Sequence, residues 1–230
     1  MSDWQKGQTK ETQYQDQVEL YKNEGPVSLG LTTGHTWRVD PKRLVFLLAR
    51  YKFVSRMLQG YPHILEVGCG DGFGARLVAQ SGSHVTCCDF DPVFIEEARQ
   101  REKGLPNVEF KVADFLKSPW AGPQFDAAYL LDVIEHIQPK DEERFIQNIA
   151  SSLKPSGVAI FGAPSLESQV YASEWSRKGH VNCKKGEDFR KTFQKHFDHV
   201  FLFSMNDEVV HTGFSAMAHY LLALCVGVKK

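Results

Sequence analysis

The sequence predicts an α/β domain: a doubly wound, mostly parallel sheet with helices on both faces. Three observations predict it. Short apolar runs alternate with segments of helical periodicity between residues 63 and 161. A glycine-rich turn, Gly68–Gly74, stands between the first such run and the helix that follows. The chain has 230 residues, of which 42% are apolar, 24% charged and 12% aromatic, the balance of one soluble domain with a sizeable core.

The elements follow in order. The first 35 or so residues are polar, broken at Gly25–Pro26 and Gly30, and read as an N-terminal arm with at most one short helix. From Pro41 the positions Leu44, Leu47, Leu48, Tyr51, Val54 and Met57–Leu58 recur at helical spacing, and Gly60–Tyr61–Pro62 ends that helix. Strands are expected at His63–Val67, His84–Cys88, Val108–Val112, Phe125–Leu131 and Val158–Phe161. Helices are expected at Ala75–Gln80, Pro92–Lys103 and Asp141–Leu153, the last with acidic residues in its first turn. Such alternation builds βαβ units on a parallel sheet. Beyond residue 163 come a polar loop, a helix near Gly186–His196, and two apolar segments, His199–Ser204 and Phe214–Cys225, which read as an antiparallel pair closing the sheet. Residues 1–36 are therefore taken as an arm closing over the site. Residues 37–230 form one domain, with a cofactor-binding half at 37–163 and a substrate-facing half at 164–230.

The most informative stretch is Ile64-Leu-Glu-Val-Gly-Cys-Gly-Asp-Gly-Phe-Gly74. It leaves a strand, turns on glycines and opens a helix, the place where open α/β sheets bind ligands. Gly68, Gly70 and Gly72 let the backbone approach a ligand closely. Asp89 ends the next strand, where a carboxylate accepts ribose hydroxyls. Two cofactors compete for this geometry. The dinucleotide fingerprint fits if started at Gly70, with Gly72 and Ala75, and fails from Gly68 because position 73 is Phe. S-adenosylmethionine is favoured because Glu66, just before the loop, suits a cationic amino-acid moiety and repels a diphosphate. Asp114 in Val112-Ala-Asp-Phe115 is placed for an adenine amino group, with Phe115 packing on the ring.

Glu66–Gly72 resembles motif I of the class I S-adenosylmethionine-dependent methyltransferases. Asp89, Val112–Phe115, Phe125-Asp126, Leu131-Asp-Val-Ile-Glu-His-Ile137 and Leu153-Lys-Pro-Ser-Gly157 resemble the later motifs in order, so the resemblance covers about residues 40–163. Within the class the chain is most similar to the ubiquinone-type O-methyltransferases. The resemblance implies a seven-stranded sheet with its last strand antiparallel, and a cofactor-binding set that includes Phe90 and Leu131. The early Asp40-Pro-Lys-Arg-Leu44 is similar to a segment whose arginine meets the cofactor carboxylate, a role that would fall to Arg43.

The expected reaction is methyl transfer to a small-molecule acceptor, most simply a hydroxyl oxygen. The alternatives are an NAD-dependent oxidoreductase, or methylation of a nitrogen or of RNA or protein. A hydroxyl acceptor needs its proton removed. His136, directly after the fourth strand, and His180, in the loop after the fifth, are the candidate catalytic groups; capping of the next helix and a backbone-bonded loop histidine are their structural alternatives. Trp37, Asn182 and His211 are candidate substrate contacts, with a structural turn role favoured for His211. Asp132, Glu135 and His136 have the residue types for a divalent metal but no assured further partner, and no metal is expected.

Formal net charge is −1, from 27 basic and 28 acidic residues, which gives no global attraction for nucleic acid. No apolar run reaches membrane-spanning length and no secretory signal is read at the start. Five cysteines without a C-x-x-C pair suit a reducing compartment, so a cytoplasmic location is expected. Phe214–Cys225 leaves a buried strand and a homodimer contact both open.

Overall fold

A computed structural model describes residue 7 and residues 9–229; part of the N-terminal arm (residues 1–6 and 8) lies outside the described residues. The arm carries two helices, α1 (Gln15–Glu24) and α2 (Leu31–Val39), where one at most is expected from sequence. Then follow α3 (Lys42–Met57), β1 (His63–Val67), α4 (Ala75–Ala79), β2 (His84–Asp89), α5 (Pro92–Arg101), β3 (Val108–Val112), β4 (Phe125–Leu131), α6 (Glu142–Ser151) and β5 (Leu153–Pro164). The last third holds α7 (Glu174–Gly179), α8 (Gly186–Gln194), β6 (Phe197–Asn206), β7 (Val209–His211) and β8 (Tyr220–Val228).

The sheet order is β3-β2-β1-β4-β5-β8-β6-β7. Strands β1 to β5 pair in parallel, while β8 runs antiparallel between β5 and β6. The doubly wound expectation holds, with eight strands in place of seven. The extra strand is β7: β6 runs on to Asn206, turns through Asp207 at φ 50°, and pairs with Val209–His211. The two terminal apolar segments do pair antiparallel as expected, β6 with β8; β7 adds a hairpin on the other edge of β6, and Phe214–Met217 is not strand. Residues Tyr220–Val228 instead enter the interior of the sheet, buried between β5 and β6, so they form no edge for a second copy.

Side chains alternate between two layers, as strand geometry requires. Leu65, Val67, Ala128, Leu130, Leu221 and Ala223 pack with α6 and α8 on one face. Ile64, Ala127, Tyr129, Tyr220 and Leu222 pack with α3, α4 and α5 on the other. Under α8, Phe193 stacks on Phe161 at 4.0 Å and meets Phe189 edge-on at 4.9 Å. β5 begins earlier than expected because Leu153 pairs with Phe125. The chain then bulges through Lys154–Gly157 and rejoins the ladder at Val158.

The arm is anchored by a carboxylate of the glycine loop. Helix α2 has glycine at its N-cap and so no capping side chain of its own. Asp71, 3% exposed, supplies the cap from forty residues away in sequence. Its Oδ2 accepts from the Thr33 backbone N–H (2.7 Å) and Thr32 Oγ1 (2.7 Å), and its Oδ1 from Thr33 Oγ1 (3.0 Å). Gly30 lies so close to Asp71 that an added Cβ would collide with the carboxylate. Losing an N-cap costs about 1–2 kcal/mol. Asp71→Ala is therefore expected to lower stability by that amount and to expose residues 25–40 to limited proteolysis; cleavage at the wild-type rate would contradict the anchor.

Candidate functional site

The strand order reverses between β1 and β4, and a cavity of about 580 Å³ opens at their carboxyl ends. One lip is the glycine loop. Gly68 sits at φ 73°, and a Cβ there would lie 2.5 Å from Val133 Cγ2 on the opposite lip. Gly70, at φ 53°, faces open space, with Thr32 Oγ1 of the arm 3.9 Å from where a Cβ would stand. The other lip begins at Asp132, which follows β4 with φ 58°. Such a conformation is tolerated by Asp better than by most residues. Its carboxylate takes both bonds from Arg50 Nη1 (2.5 and 2.8 Å), and the guanidinium lies 3.7 Å above the Tyr220 ring. The Asp132 backbone N–H donates to Gly162 O (3.1 Å) and approaches the Tyr220 hydroxyl at 3.2 Å.

Gly68, Gly70, Asp89, Phe90, Asp114, Phe115 and His136 all line this cavity, as expected from sequence. Asp89, 8% exposed, accepts from the backbone N–H groups of Gly70 and Asp91, both at 2.9 Å. Those two bonds occupy half of a carboxylate's roughly four lone-pair sites and leave the rest for hydroxyls. Asp114 accepts from the Leu116 N–H and pairs with Lys117. Between the two acids the wall is apolar, built from Phe90, Phe115, Val133 and Ile137. The lining contains Asp89, Asp114 and Asp132 but neither lysine nor arginine. This donor set fits a sugar-bearing aromatic base attached to a cation, and it offers a diphosphate no basic side chain.

Several expected contacts lie elsewhere. Glu66 is not on the cavity wall. It is 2% exposed beneath the glycine loop, where its carboxyl accepts from Tyr51 Oη at 2.7 Å and Cys87 Sγ at 3.2 Å. Burial pushes it up to about 7, against the lowering effect of the Tyr51 and Cys87 hydrogen bonds. It therefore buttresses the loop. Gly72 packs against Phe110, and Leu131 faces the α3 side of the core; neither lines the cavity. Arg43 is exposed and outside the lining, although its charge reaches His180. Trp37 is 57% exposed on α2, also away from the cavity wall. Asn182 is buried and donates to Glu142 Oε1 at 2.7 Å. His211 spends both ring nitrogens locally, on Asn206 Oδ1 (2.8 Å) and the Gly213 N–H (2.9 Å), so its role is to shape the turn.

His136 and His180 do come together. Their rings lie 5.2 Å apart, edge to face, at the cavity mouth beside His136. Backbone bonds from the Val181 and Asn182 N–H groups to Glu135 O (2.8 and 3.0 Å) tie the two loops to each other. Burial, helped by His136, holds His180 below the ordinary imidazole value. Glu135 is fully buried, and burial together with nearby Asp132 holds it well above the usual carboxylate range. Sequence reasoning missed Thr32, Asp71 and Arg50. Only their bonds to residues 38 to 82 positions away mark them, and no local pattern encodes those.

Comparison with known proteins bears on the fold that carries this cavity. The family described as "Methyltransferase domain" matches residues 64–157, under half of the chain. A probable S-adenosylmethionine-dependent methyltransferase of Mycobacterium tuberculosis is 32% identical over 44% of this chain and 35% of its own length. A ubiquinone biosynthesis O-methyltransferase of Coxiella burnetii is 28% identical over 53% of this chain and 52% of its own. The chain thus spans about a third to a half of the length of these curated relatives. Among solved structures, an N-methyltransferase, NodS of Bradyrhizobium japonicum, in complex with S-adenosyl-L-homocysteine, superposes with a TM-score of 0.59 at 23% identity. That match covers 83% of this chain and 91% of the other. The fold is that of the class I methyltransferases, and the resemblance drawn from the motifs is borne out over residues 64–157.

Two consequences are open to measurement. A side chain at Gly70 would project into the open space and require an unfavourable φ. Gly70→Val is expected to abolish binding of S-adenosylhomocysteine while circular dichroism stays native; retained affinity would contradict the placement of the loop. Glu66 has a folded pKa, about 7, above its ordinary 4.5. Its contribution to stability is full below pH 4.5 and is lost as pH rises through 7. At about 1.4 kcal/mol per unit, Glu66→Gln should gain up to about 3 kcal/mol on the wild type between pH 4.5 and 7. A pH-independent difference in denaturant midpoint would show that Glu66 is not buried as described.

Proposed function

We propose that this chain transfers a methyl group from S-adenosylmethionine to a small-molecule acceptor, with a hydroxyl oxygen as the acceptor atom. The observation that carries the reading is the cavity at the β1–β4 reversal, which is acidic on its polar walls, apolar between them, and open at His136. S-adenosylmethionine supplies a methyl carbon already activated by its sulfonium. Asp89 holds the ribose hydroxyls, Asp114 and Phe115 the adenine, and with Asp132 paired to Arg50 it is Asp89 and Asp114 that favour the positive charge. The remaining task of the protein is to hold the acceptor in line within about 3–3.5 Å, the largest single contribution to such a displacement.

The acceptor enters from the His136–His180 side, and the two imidazoles orient its hydroxyl and ease loss of its proton. The segment leading into His180 supports an acceptor with an apolar portion: Tyr171 is 89% exposed and Trp175 83%. No helix among the described residues is long and apolar enough to cross a membrane. Removing one group that handles a proton in the transition state costs about 10²–10⁴ in rate.

Calorimetric titration tests the class: micromolar binding of S-adenosylhomocysteine without binding of NADH supports methyl transfer, and binding of NADH alone overturns it. With an acceptor in hand, His136→Ala and His180→Ala are expected to lose about 10²–10⁴ in kcat and to keep the affinity for S-adenosylhomocysteine. The pKa of His180 lies below the ordinary 6.5, so its neutral form persists to lower pH. The acid limb of kcat/KM should therefore have its midpoint below 6.5; a midpoint above that value would remove His180 from the reaction.

A further inference from the structure

The glycine-loop lip of the cavity carries one polar side chain that does not come from the loop. Thr32, in the first turn of α2, lines the cavity, and its Oγ1 lies 3.9 Å from where a Gly70 Cβ would stand. The bare α-carbon of Gly70 leaves that hydroxyl open to the cavity.

What the hydroxyl can do there is fixed by its partner. Thr32 Oγ1 donates to Asp71 Oδ2 at 2.7 Å, and a hydroxyl has one proton and two lone pairs. The proton is spent on Asp71, so toward the cavity Thr32 can only accept. Asp71 itself is 3% exposed and also accepts from the Thr33 N–H, the Thr33 hydroxyl and the Phe73 N–H, at 2.7, 3.0 and 3.3 Å. Its charge is therefore felt in the cavity through Thr32, and a hydroxyl bonded to a carboxylate is a stronger acceptor for it.

An acceptor is what this lip needs. The cofactor brings an α-ammonium group with three N–H donors, and the carboxyl groups around the cavity are engaged elsewhere. Glu66, expected from sequence to meet that cation, is enclosed by Tyr51 and Cys87 beneath the loop. Asp132 is held by Arg50, and Asp114 by Lys117 and the Leu116 N–H. Asp89 is the group assigned to the ribose under the proposed function. Among the described residues, Thr32 Oγ1 is the side-chain acceptor left on the glycine-loop side of the cavity lining.

We infer that Thr32 binds the amino-acid end of S-adenosylmethionine, its Oγ1 accepting a hydrogen bond from the α-ammonium. The inference deepens the proposed function and rests on it for the identity of the ligand. It makes the arm part of the cofactor site. One carboxylate, Asp71, both caps α2 and orients the hydroxyl that meets the ligand, so a bound ligand holds the arm in its docked position.

The test compares two ligands by calorimetry on the full chain: S-adenosylhomocysteine, and 5′-methylthioadenosine, which shares the adenine and ribose but lacks the amino-acid end. Thr32→Val keeps the shape and removes the hydroxyl. It should weaken S-adenosylhomocysteine about tenfold or more, as loss of a hydrogen bond to a charged group does, and 5′-methylthioadenosine by less than about threefold. Thr32→Ser should keep both affinities near the wild-type values. Thr33→Val loosens the same anchor without lining the cavity, and should move both ligands by the same factor. S-adenosylhomocysteine should also slow proteolysis within residues 25–40 of the wild type, and fail to do so in Thr32→Val. Equal weakening of both ligands by Thr32→Val, or undiminished affinity for S-adenosylhomocysteine, overturns the inference and leaves the methyltransferase reading standing. Failure of the wild type to bind either ligand sinks that reading, and this inference with it.

Discussion

The reversal of strand order between β1 and β4 is the constraint on which the site depends. After β1 the chain turns toward α4 and β2, and after β4 it turns the opposite way, toward α6 and β5. The two departures leave a crevice between them, and the backbone on both lips takes conformations with positive φ. Gly68 supplies one by lacking a side chain. Asp132 supplies the other and is held there by Arg50, Tyr220 and the Gly162 carbonyl. Val133 closes on Gly68 so tightly that any side chain at position 68 would force the lips apart.

Charge is distributed across this crevice in depth. The carboxyl nearest the strand, Glu66, is withdrawn into a shell of Tyr51 and Cys87 and raised toward neutrality, so it stiffens the loop without adding a full charge. The carboxylates that face the cavity, Asp89 and Asp114, receive backbone N–H bonds that hold their orientation. Asp71, between these sets, looks outward and clamps the arm, which is how Thr32 reaches the cavity wall. One eleven-residue stretch thus provides the turn, its internal support and the attachment of the arm.

The parts of the architecture encoded by local pattern were legible in the sequence. Alternating apolar runs and helical periodicity locate β1 to β5 and α3 to α6 to within a few residues, and the acids at the ends of β2 and β3 lie on the cavity as their positions imply. What was not legible depends on partners distant in the chain. Glu66 points at a cation on paper, but Tyr51, fifteen residues earlier, encloses it. Arg43 has the expected motif around it and stays exposed, while Arg50, two turns further along the same helix, meets the site through Asp132. The hairpin of β6 with β7 was hidden because β7 is three residues long. The insertion of β8 leaves no trace in the order of segments. His136 and His180 were each singled out from sequence, but their meeting across 44 positions is a property of the fold.

The most direct test of the account is the structure of the full chain with S-adenosylhomocysteine bound. The account places the adenine between Asp114 and Phe115, the ribose hydroxyls on Asp89, and the sulfur turned toward the His136–His180 mouth. A ligand seated outside the β1–β4 crevice, or one whose sulfur faces away from both histidines, would contradict it.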